Sequence, residues 1–388
     1  MEKIKQLFYI THIDNVASIL KHGVMSHKTI EESKIPFTKI YDASIVSSRQ
    51  HRKTPDGKSL WEYANIYLQA RNPMLYRVLC EKNASDIVVF GIDRTIMTTP
   101  CSFFSAGNAA SMLSEIVPIR ESGKAFKVVK NDIESQWWKD EDGSKRKIMA
   151  ECLIPNLIPP DHIRTIYVSN NTNADKVKAI TTGLKIDVIP EPKLFFENSI
   201  KVQITPNLSV VKGDMFFSRL HTLTVSVNVV GIMGKGLASR AKYQFPDVYV
   251  HYQDLCRNKT LKMGKPVIYK RESSFDYQLA DDPQSLKNGN GETWFLLFAT
   301  KKHWREDSDF NAIEEGMKWL KDNFKNEGIK SLALPALGCG LGRLQWEDVG
   351  PMLCKYLKDF DIPVQLYLPA ERDIDSKYLT REFLLSKA

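Results

Sequence analysis

The chain has 388 residues, 43% of them hydrophobic and 26% charged, with a formal net charge of +8. That length predicts two domains, and the composition is that of a folded globular protein. No stretch approaches the roughly 18 apolar residues of a membrane span, and MEKIKQLFYITHID lacks the long apolar core of a signal peptide, so no membrane partner and a cytoplasmic location are expected.

Six cysteines, at 80, 101, 152, 256, 339 and 354, form no C-x-x-C pair and no spaced cluster with histidine. That pattern predicts neither a metal site nor a disulfide framework, and it fits a reducing compartment. The mild basic excess is spread over both halves; it permits nucleic-acid contact without establishing it.

In the first half, DNVASILKHGV predicts a short helix with Asp14 as N-cap and Gly23 as its stop. IVVFGI, KIMAECLIP and IRTIYVS read as strands, and AGNAASMLSEI reads as the start of a helix. The order is that of an α+β domain without regular alternation. Alternation within KIMAECLIP would place Met149, Glu151 and Leu153 on one face, so Glu151 is an acid among apolar neighbours. Such an acid is costly unless paired or functional. Trp61, Tyr63, Tyr67 and Tyr76, with Arg71 and Arg77, form a basic and aromatic region. That mixture suits unpaired bases that stack while phosphates are neutralised; core aromatics beside solvated arginines are the structural alternative.

Two prolines in VIPEPKLFFENSIKV (188–202) mark the boundary, giving domains 1–195 and 201–388. The second half then alternates. LTVSVNVV, ETWFLLFAT, IKSLALPAL and IPVQLYLP read as strands. GLASRAKYQFPDVYVHYQDLC, DFNAIEEGMKWLKDNFKNEG and WEDVGPMLCKYLKDF read as helices, the first broken at Pro246 and the second stopped by Gly328. Alternation of this kind predicts a layered α/β fold with its loops at the strands' C-terminal ends.

Two glycine loops fall at such ends: NVVGIMGKGLA (228–238) and GCGLGRL (338–344). The first is neither a P-loop, since no Ser or Thr follows Gly-Lys, nor the dinucleotide G-x-G-x-x-G. Backbone N–H groups at a helix N-terminus still make an anion site, and two such loops facing one cleft point to a phosphate-rich ligand.

Residues 201–388 resemble the macrodomain family, the ADP-ribose-binding three-layer α/β/α fold with a mixed sheet. The resemblance rests on VVKGDMF, VNVVGIMGKGLASRAKYQFP, FATKKHWR and LALPALGCGLGRLQW, and within the family it is to the DarG-type subgroup. It implies ADP-ribose as ligand. Asp214 would bind the adenine, and Asn228 would lie near the distal ribose. Gly231, Met233, Gly234, Lys235 and Gly236 would form the first phosphate loop, and Gly338, Cys339, Gly340 and Leu341 the second. Lys301 matches the lysine implicated in removing ADP-ribose from DNA. A half-buried lysine loses its charge more easily and can attack an anomeric carbon, whereas a charged one would pair with phosphate.

Residues 1–195 resemble the DarT family of ADP-ribosyltransferases, which modify thymine in single-stranded DNA. This rests on YITHIDNVASILKHGVMSH, SSRQHRKTPDGKSLWEYANIYLQARNPMLYRV, IVVFGID, FSAGNAAS and KRKIMAECLIP. The resemblance implies an α+β transferase fold and NAD⁺ as co-substrate, contacted by His12, Asn15, Tyr67, Tyr76 and Asn108. Glu151 would be the catalytic acid or base and Arg49 its electrostatic partner, with Arg52 the rival assignment in SSRQHRK. DNA contacts would come from Arg52, Arg71 and Arg77.

The two resemblances together imply a writer and an eraser of one mark on one chain, a toxin with a built-in antidote. The chain ends soon after the macrodomain-like half, so protection is expected to depend on hydrolysis. Two alternatives remain open from sequence. One is an inactive transferase joined to a reader of ADP-ribosylated nucleic acid. The other is a transferase with a protein or RNA acceptor.

Overall fold

The computed structural model describes residues 4–41, 43–370 and 372–386, and for residues 43–46 the backbone alone. It divides into two compact units. The first comprises residues 1–197 and Asp276–Gly289; the second comprises Asn198–Phe275 and Asn290–Ala388. The first cut lies close to the expected boundary. The expected continuous second domain is instead interrupted by residues 276–289, which belong to the first unit.

The first unit contains β1 (Gln6–His12), β2 (Val24–Met25), β3 (Tyr63–Tyr67), β4 (Ile87–Asp93), β5 (Phe103–Ser105), β6 (Ile116–Pro118), β7 (Glu151–Pro155), β8 (Leu157–Ile158), β9 (Ile163–Val168) and β10 (Asp187–Pro190). Eight of these make one sheet in the order β10-β9-β4-β1-β3-β7-β5-β6, and β2 pairs with β8 separately. All neighbours in the large sheet are antiparallel except β10 and β9. β4 is buried through Ile92, as a central strand covered on both faces must be.

Three local expectations are corrected. The helix Val16–His22 follows a short 3₁₀ turn with Asn15 in the N-cap position and no side-chain cap bond, so Asp14 is not its N-cap; the Asp14 N–H instead meets the His12 ring. Gly23, at φ +84°, does end that helix. The strand expected from residue 147 begins at Glu151, because 144–147 form a helical turn. Residues 106–115 form successive turns rather than a helix. There Gly107 sits at φ +137°, outside helical space, and Asn108 accepts the Ala110 N–H.

The second unit is α/β with a mixed sheet. Its strands are β11 (Ile200–Gln203), β12 (Leu208–Lys212), β13 (Thr222–Asn228), β14 (Val267–Tyr269), β15 (Trp294–Lys301), β16 (Leu332–Pro335) and β17 (Val364–Tyr367). They run in the order β11-β12-β17-β16-β13-β15-β14, parallel within and antiparallel at both edges. β13, β15 and β16 are almost continuously buried, which requires helices on both faces. The helix Phe310–Glu327 buries Ile313, Met317, Leu320 and Phe324, and Gly328 closes it in a left-handed cap. Gly316 lets this helix approach β15: a Cβ there would lie 2.4 Å from the Phe298 ring. No helix among the described residues is long and apolar enough to cross a membrane. The six cysteines are free thiols.

Candidate active sites

In the first unit the site is built around the start of β7. Glu151, the first residue of β7, pairs across the ladder with Tyr67, the last of β3, and with Ser105, the last of β5, so it sits at the strand ends with a strand on each flank. It is fully buried. Arg49, from the helix Ala43–His51, donates Nη1 to Glu151 Oε1 at 3.3 Å and Nη2 to Oε2 at 3.2 Å. The Ala109 N–H adds a third donor, 2.7 Å from Oε1. Burial works against the Arg49 charge, but the Glu151 carboxylate outweighs it and raises the guanidinium further above its ordinary range. Burial first, then the same carboxylate, pushes the Tyr67 phenol far up.

The loop that brings Ala109 to Glu151 is held from behind. Arg146 donates to the Ala106 carbonyl at 3.0 Å and to Ser114 Oγ at 3.1 Å, and its own carbonyl takes the Asn108 N–H. A Cβ on Gly107 would meet Arg146 at 2.7 Å. The loop's turns, not a helix, present the amide.

Of the two arginines in SSRQHRK, Arg49 reaches Glu151. Arg52 instead lies against Met112 Sδ (2.9 Å) and the Ser114 carbonyl (3.1 Å). It lines a cavity of about 490 Å³ with Lys53, Met112 and Leu113, the last two well exposed. His12 ends β1 with Nδ1 beside the Asp14 N–H (3.2 Å). Asn108 keeps its side-chain oxygen on the Ala110 N–H.

Other expected contacts fall elsewhere. Asn15 is buried, its amide engaged by Thr11 and both backbone groups of Thr38. Tyr76 is buried with its hydroxyl on Asp276 Oδ1 at 2.6 Å. Arg71 and Arg77, expected on a DNA-facing surface, are both turned inward. Arg71 donates to the Lys193 and Gln136 carbonyls and lies over the Phe196 ring. Arg77 pairs with Asp281 at 2.7 Å. Both are buried and bonded inside the unit, Arg77 to a carboxylate and Arg71 to carbonyls, rather than on an open surface. Of the aromatic residues, Tyr63 is buried with its hydroxyl on Asp56, and Trp61 stacks on His27 at 4.4 Å.

In the second unit the site collects at the C-terminal ends of β13, β15 and β16. Asn228 closes β13 and organises the first glycine loop. Its Nδ2 donates to the Ile232 carbonyl at 2.6 Å, and its Oδ1 accepts the Val230 N–H and the Tyr252 hydroxyl. Its amide therefore shapes the loop at the end of β13. Gly231 and Gly236 take φ +83° and +58°, and a Cβ on Gly234 would meet Ile232 Cγ2 in ordinary contact at 3.9 Å. Met233 is buried and anchors the loop, while Lys235 caps the helix Gly236–Gln244 without a side-chain bond. The first N–H groups of that helix lack intrahelical partners, as an anion site requires.

Lys301 ends β15 opposite Asn228. Its Nζ donates to the Glu306 carbonyl at 2.9 Å and the Leu341 carbonyl at 3.3 Å, bridging to the second glycine loop. Burial lowers its pKa from the ordinary lysine value. In that second loop Gly338 sits at φ +76° with no room for a Cβ, Cys339 points into the core, and Leu341 is exposed beside Gly340. Asp214 caps the turn Met215–Phe217 and is held by Arg240 Nη1, 2.7 and 2.8 Å from its two oxygens. Arg240 itself lies over the Phe216 ring. Sequence reading missed Arg240 and the Ala109 amide although both stand in quoted stretches, because a side chain that holds another residue and a backbone N–H leave no signal of their own; Asp281 lies in a polar loop outside any motif.

A family model described as ssDNA thymidine ADP-ribosyltransferase, DarT, matches residues 8–196, and a Macro domain model matches residues 295–353. A DNA ADP-ribosyl transferase–DNA ADP-ribosyl glycohydrolase fusion protein of Thermosipho africanus is 51% identical over 387 residues, 99% of each chain. The solved structure of Thermosipho africanus DarTG in complex with ADP-ribose matches with a TM-score of 0.92 at 51% identity, covering 98% of this chain and 100% of that one. A DNA ADP-ribosyl glycohydrolase of Thermus aquaticus is 34% identical over 165 residues, 42% of each chain.

Proposed function

Because this chain belongs to the family of fused DNA ADP-ribosyl transferases and DNA ADP-ribosyl glycohydrolases, we propose that its first unit writes ADP-ribose onto thymine in single-stranded DNA and its second unit erases it. The observation that carries the writer is the buried Arg49–Glu151 pair with the Ala109 N–H on the same carboxylate.

The pair can do the following work. NAD⁺ is the co-substrate, and its bond from the anomeric carbon to nicotinamide breaks with the electron pair leaving on nicotinamide. The carbon that remains is cation-like, and the Glu151 carboxylate stabilises it electrostatically. A thymine ring nitrogen forms the new bond, and its proton passes to Glu151, which is fixed by Arg49 and Ala109. Tyr67, opposite Glu151, keeps its proton at neutral pH and stands as a neutral wall. His12 and Asn108 are the remaining NAD⁺ contacts. Arg52 and Lys53, beside the exposed Met112 and Leu113, give the approaching strand a cation and an apolar surface.

In the second unit the two glycine loops take the diphosphate of ADP-ribose through backbone N–H groups, and Asp214 takes the adenine. Lys301, drawn toward neutrality by burial, attacks the anomeric carbon as the bond to the thymine nitrogen breaks with its electron pair; the nitrogen takes the proton that the amine gives up, and water then displaces Lys301 to release ADP-ribose and restore the amine. The unit then works as a hydrolase that restores the DNA. The arrangement is a toxin and its antidote on one chain, acting where NAD⁺ and DNA occur together in the cytoplasm.

The test uses the full chain and its Lys301→Ala variant, each with NAD⁺ and a thymine-containing single-stranded oligonucleotide, read by mass spectrometry. An adduct of one ADP-ribose that accumulates with Lys301→Ala and not with the unaltered chain is expected. No adduct from either protein on any thymine oligonucleotide would sink the DNA-writer reading.

A further inference from the structure

Lys301 ends β15, and the chain after it doubles back. Lys301 Nζ donates to the Glu306 carbonyl at 2.9 Å, the Glu306 N–H donates to the His303 carbonyl at 3.1 Å, and the Asp309 N–H returns to the Thr300 carbonyl at 2.9 Å. The Ser308 N–H fastens the same loop to the Gly342 carbonyl of the second glycine loop at 3.0 Å. Residues 302–305 are therefore the outer end of a loop tied at its base, and Lys301 itself is one of the ties.

This loop exposes what folding ordinarily buries. Trp304 is 46% exposed, although a ring of that size gains most from burial. The Arg305 guanidinium lies 4.6 Å from its ring centre and His303 5.3 Å away, and Lys302 and Arg305 are exposed as well. Asp307, further along the loop, is answered by Arg343 at 3.5 Å. Leu341, whose carbonyl accepts from Lys301 Nζ at 3.3 Å, is 55% exposed. An open indole among cations can stack on a nucleic-acid base while the neighbouring phosphates are neutralised.

The strand order decides which end of the ligand lies here. Asp214 follows β12 and Lys301 ends β15, and the order between them is β12-β17-β16-β13-β15, all parallel. Four strand spacings separate the two ends, about 19 Å across the sheet. With adenine at Asp214, Trp304 stands at the opposite end of the ligand, beside the group that attacks the anomeric carbon. That is where the DNA strand leaves.

We propose that Trp304 is a specificity residue of the eraser: its indole stacks on a base next to the modified thymine, and Lys302 and Arg305 meet the phosphates of that strand. This role rests on the reading of Lys301 as the group that removes ADP-ribose. The modified thymine must lie at Lys301 itself, so the ring three residues along the loop is left for the neighbouring base. The stack selects ADP-ribose borne on a DNA strand over ADP-ribose that is free or borne on a single nucleotide.

The experiment uses the full chain without NAD⁺, so that only removal is read, and a previously ADP-ribosylated thymine oligonucleotide as substrate. The unaltered protein is compared with Trp304→Ala and Trp304→Phe. Trp304→Ala should raise KM for the oligonucleotide about tenfold, an ordinary loss for one stacked base, with kcat little changed. Trp304→Phe should restore most of the affinity. Free ADP-ribose, added as a competitor, should inhibit all three proteins equally. KM for a single ADP-ribosylated thymidine nucleotide should also be the same in all three.

An unchanged oligonucleotide KM in Trp304→Ala would overturn the proposal. So would an equal rise for the single nucleotide, or weaker inhibition by ADP-ribose, since either would put the ring on the modified nucleotide and not on the strand beside it. If Trp304→Ala fails to fold, Trp304→Leu decides, because it keeps apolar bulk without an aromatic face. A raised oligonucleotide KM in that variant supports the stack, and an unchanged one overturns it. An unaltered chain that releases no ADP-ribose from the oligonucleotide refutes the eraser reading itself, a result seen before any variant is compared.

Discussion

Arg49 holds both carboxylate oxygens of Glu151, at 3.3 and 3.2 Å, across 102 positions of sequence. The fork geometry suits a guanidinium and not an ammonium. Glu151→Gln should abolish nicotinamide release by about 10²–10⁴-fold, the usual contribution of a general base. Arg49→Ala should also cost about 3 kcal/mol in stability, because it leaves a buried carboxylate with the Ala109 amide as its main remaining donor. Chemical unfolding and nicotinamide release on the two variants check this. A fully active Glu151→Gln chain would refute the assignment.

Lys301 gives a prediction about pH. Burial holds its pKa below that of a free lysine, so the neutral amine forms at lower pH than usual. If the amine attacks carbon, ADP-ribose release rises with pH and levels off above that pKa. A rate that falls over the same alkaline range would show that Lys301 acts as a cation paired to phosphate. In cells, Lys301→Ala should be toxic, and adding Glu151→Gln should remove the toxicity.

Arg240 is expected to control the adenine end of the second site. It holds Asp214 at 2.7 Å while lying 4.8 Å over Phe216. Arg240→Met keeps much of the packing and removes the charge-assisted bond. ADP-ribose affinity should fall by about tenfold, the lower end of what a hydrogen bond to a charged group contributes. Calorimetric titration measures it, and an unchanged affinity would separate Arg240 from the adenine site.

His27 should make the first unit acid-sensitive. Its ring stacks on Trp61 at 4.4 Å and lies 3.2 Å from the Tyr41 hydroxyl. Burial, then the Arg49 charge, lowers its pKa from 6.5 to about 4. The unfolded chain thus binds the extra proton first. The stability contribution is complete above pH 6.5 and is lost as pH falls toward about 4. His27→Phe should keep the stack and flatten the fall in melting temperature across that window. An unchanged slope would assign the acid sensitivity to other groups.

The elements legible in the sequence were those whose signal is local. IVVFGI and ETWFLLFAT are unbroken apolar runs, and both are buried central strands. The four apolar positions of 310–327 recur at helical spacing, and Gly328 stops the helix where a left-handed residue is needed. The two glycine loops stood out because backbone at positive φ selects glycine. Glu151 stood out as an acid in an apolar run. Residues 106–115 misled, because alanine and leucine there favour a helix while Gly107 and the Arg146 bonds impose turns.

By itself the sequence determined the main strands and helices in their order along the chain, the loops and the motif residues, since each depends on neighbours within a few positions; that 276–289 joins the first unit was not among them. Which side chains meet was decided by tertiary structure. Arg49 rather than Arg52 reaches Glu151, Asn228 turns inward on its own loop, and Arg77 pairs with a residue 204 positions away instead of facing DNA. The sheet register brings such distant residues together, and burial then requires each charge to find a partner, which no local pattern encodes.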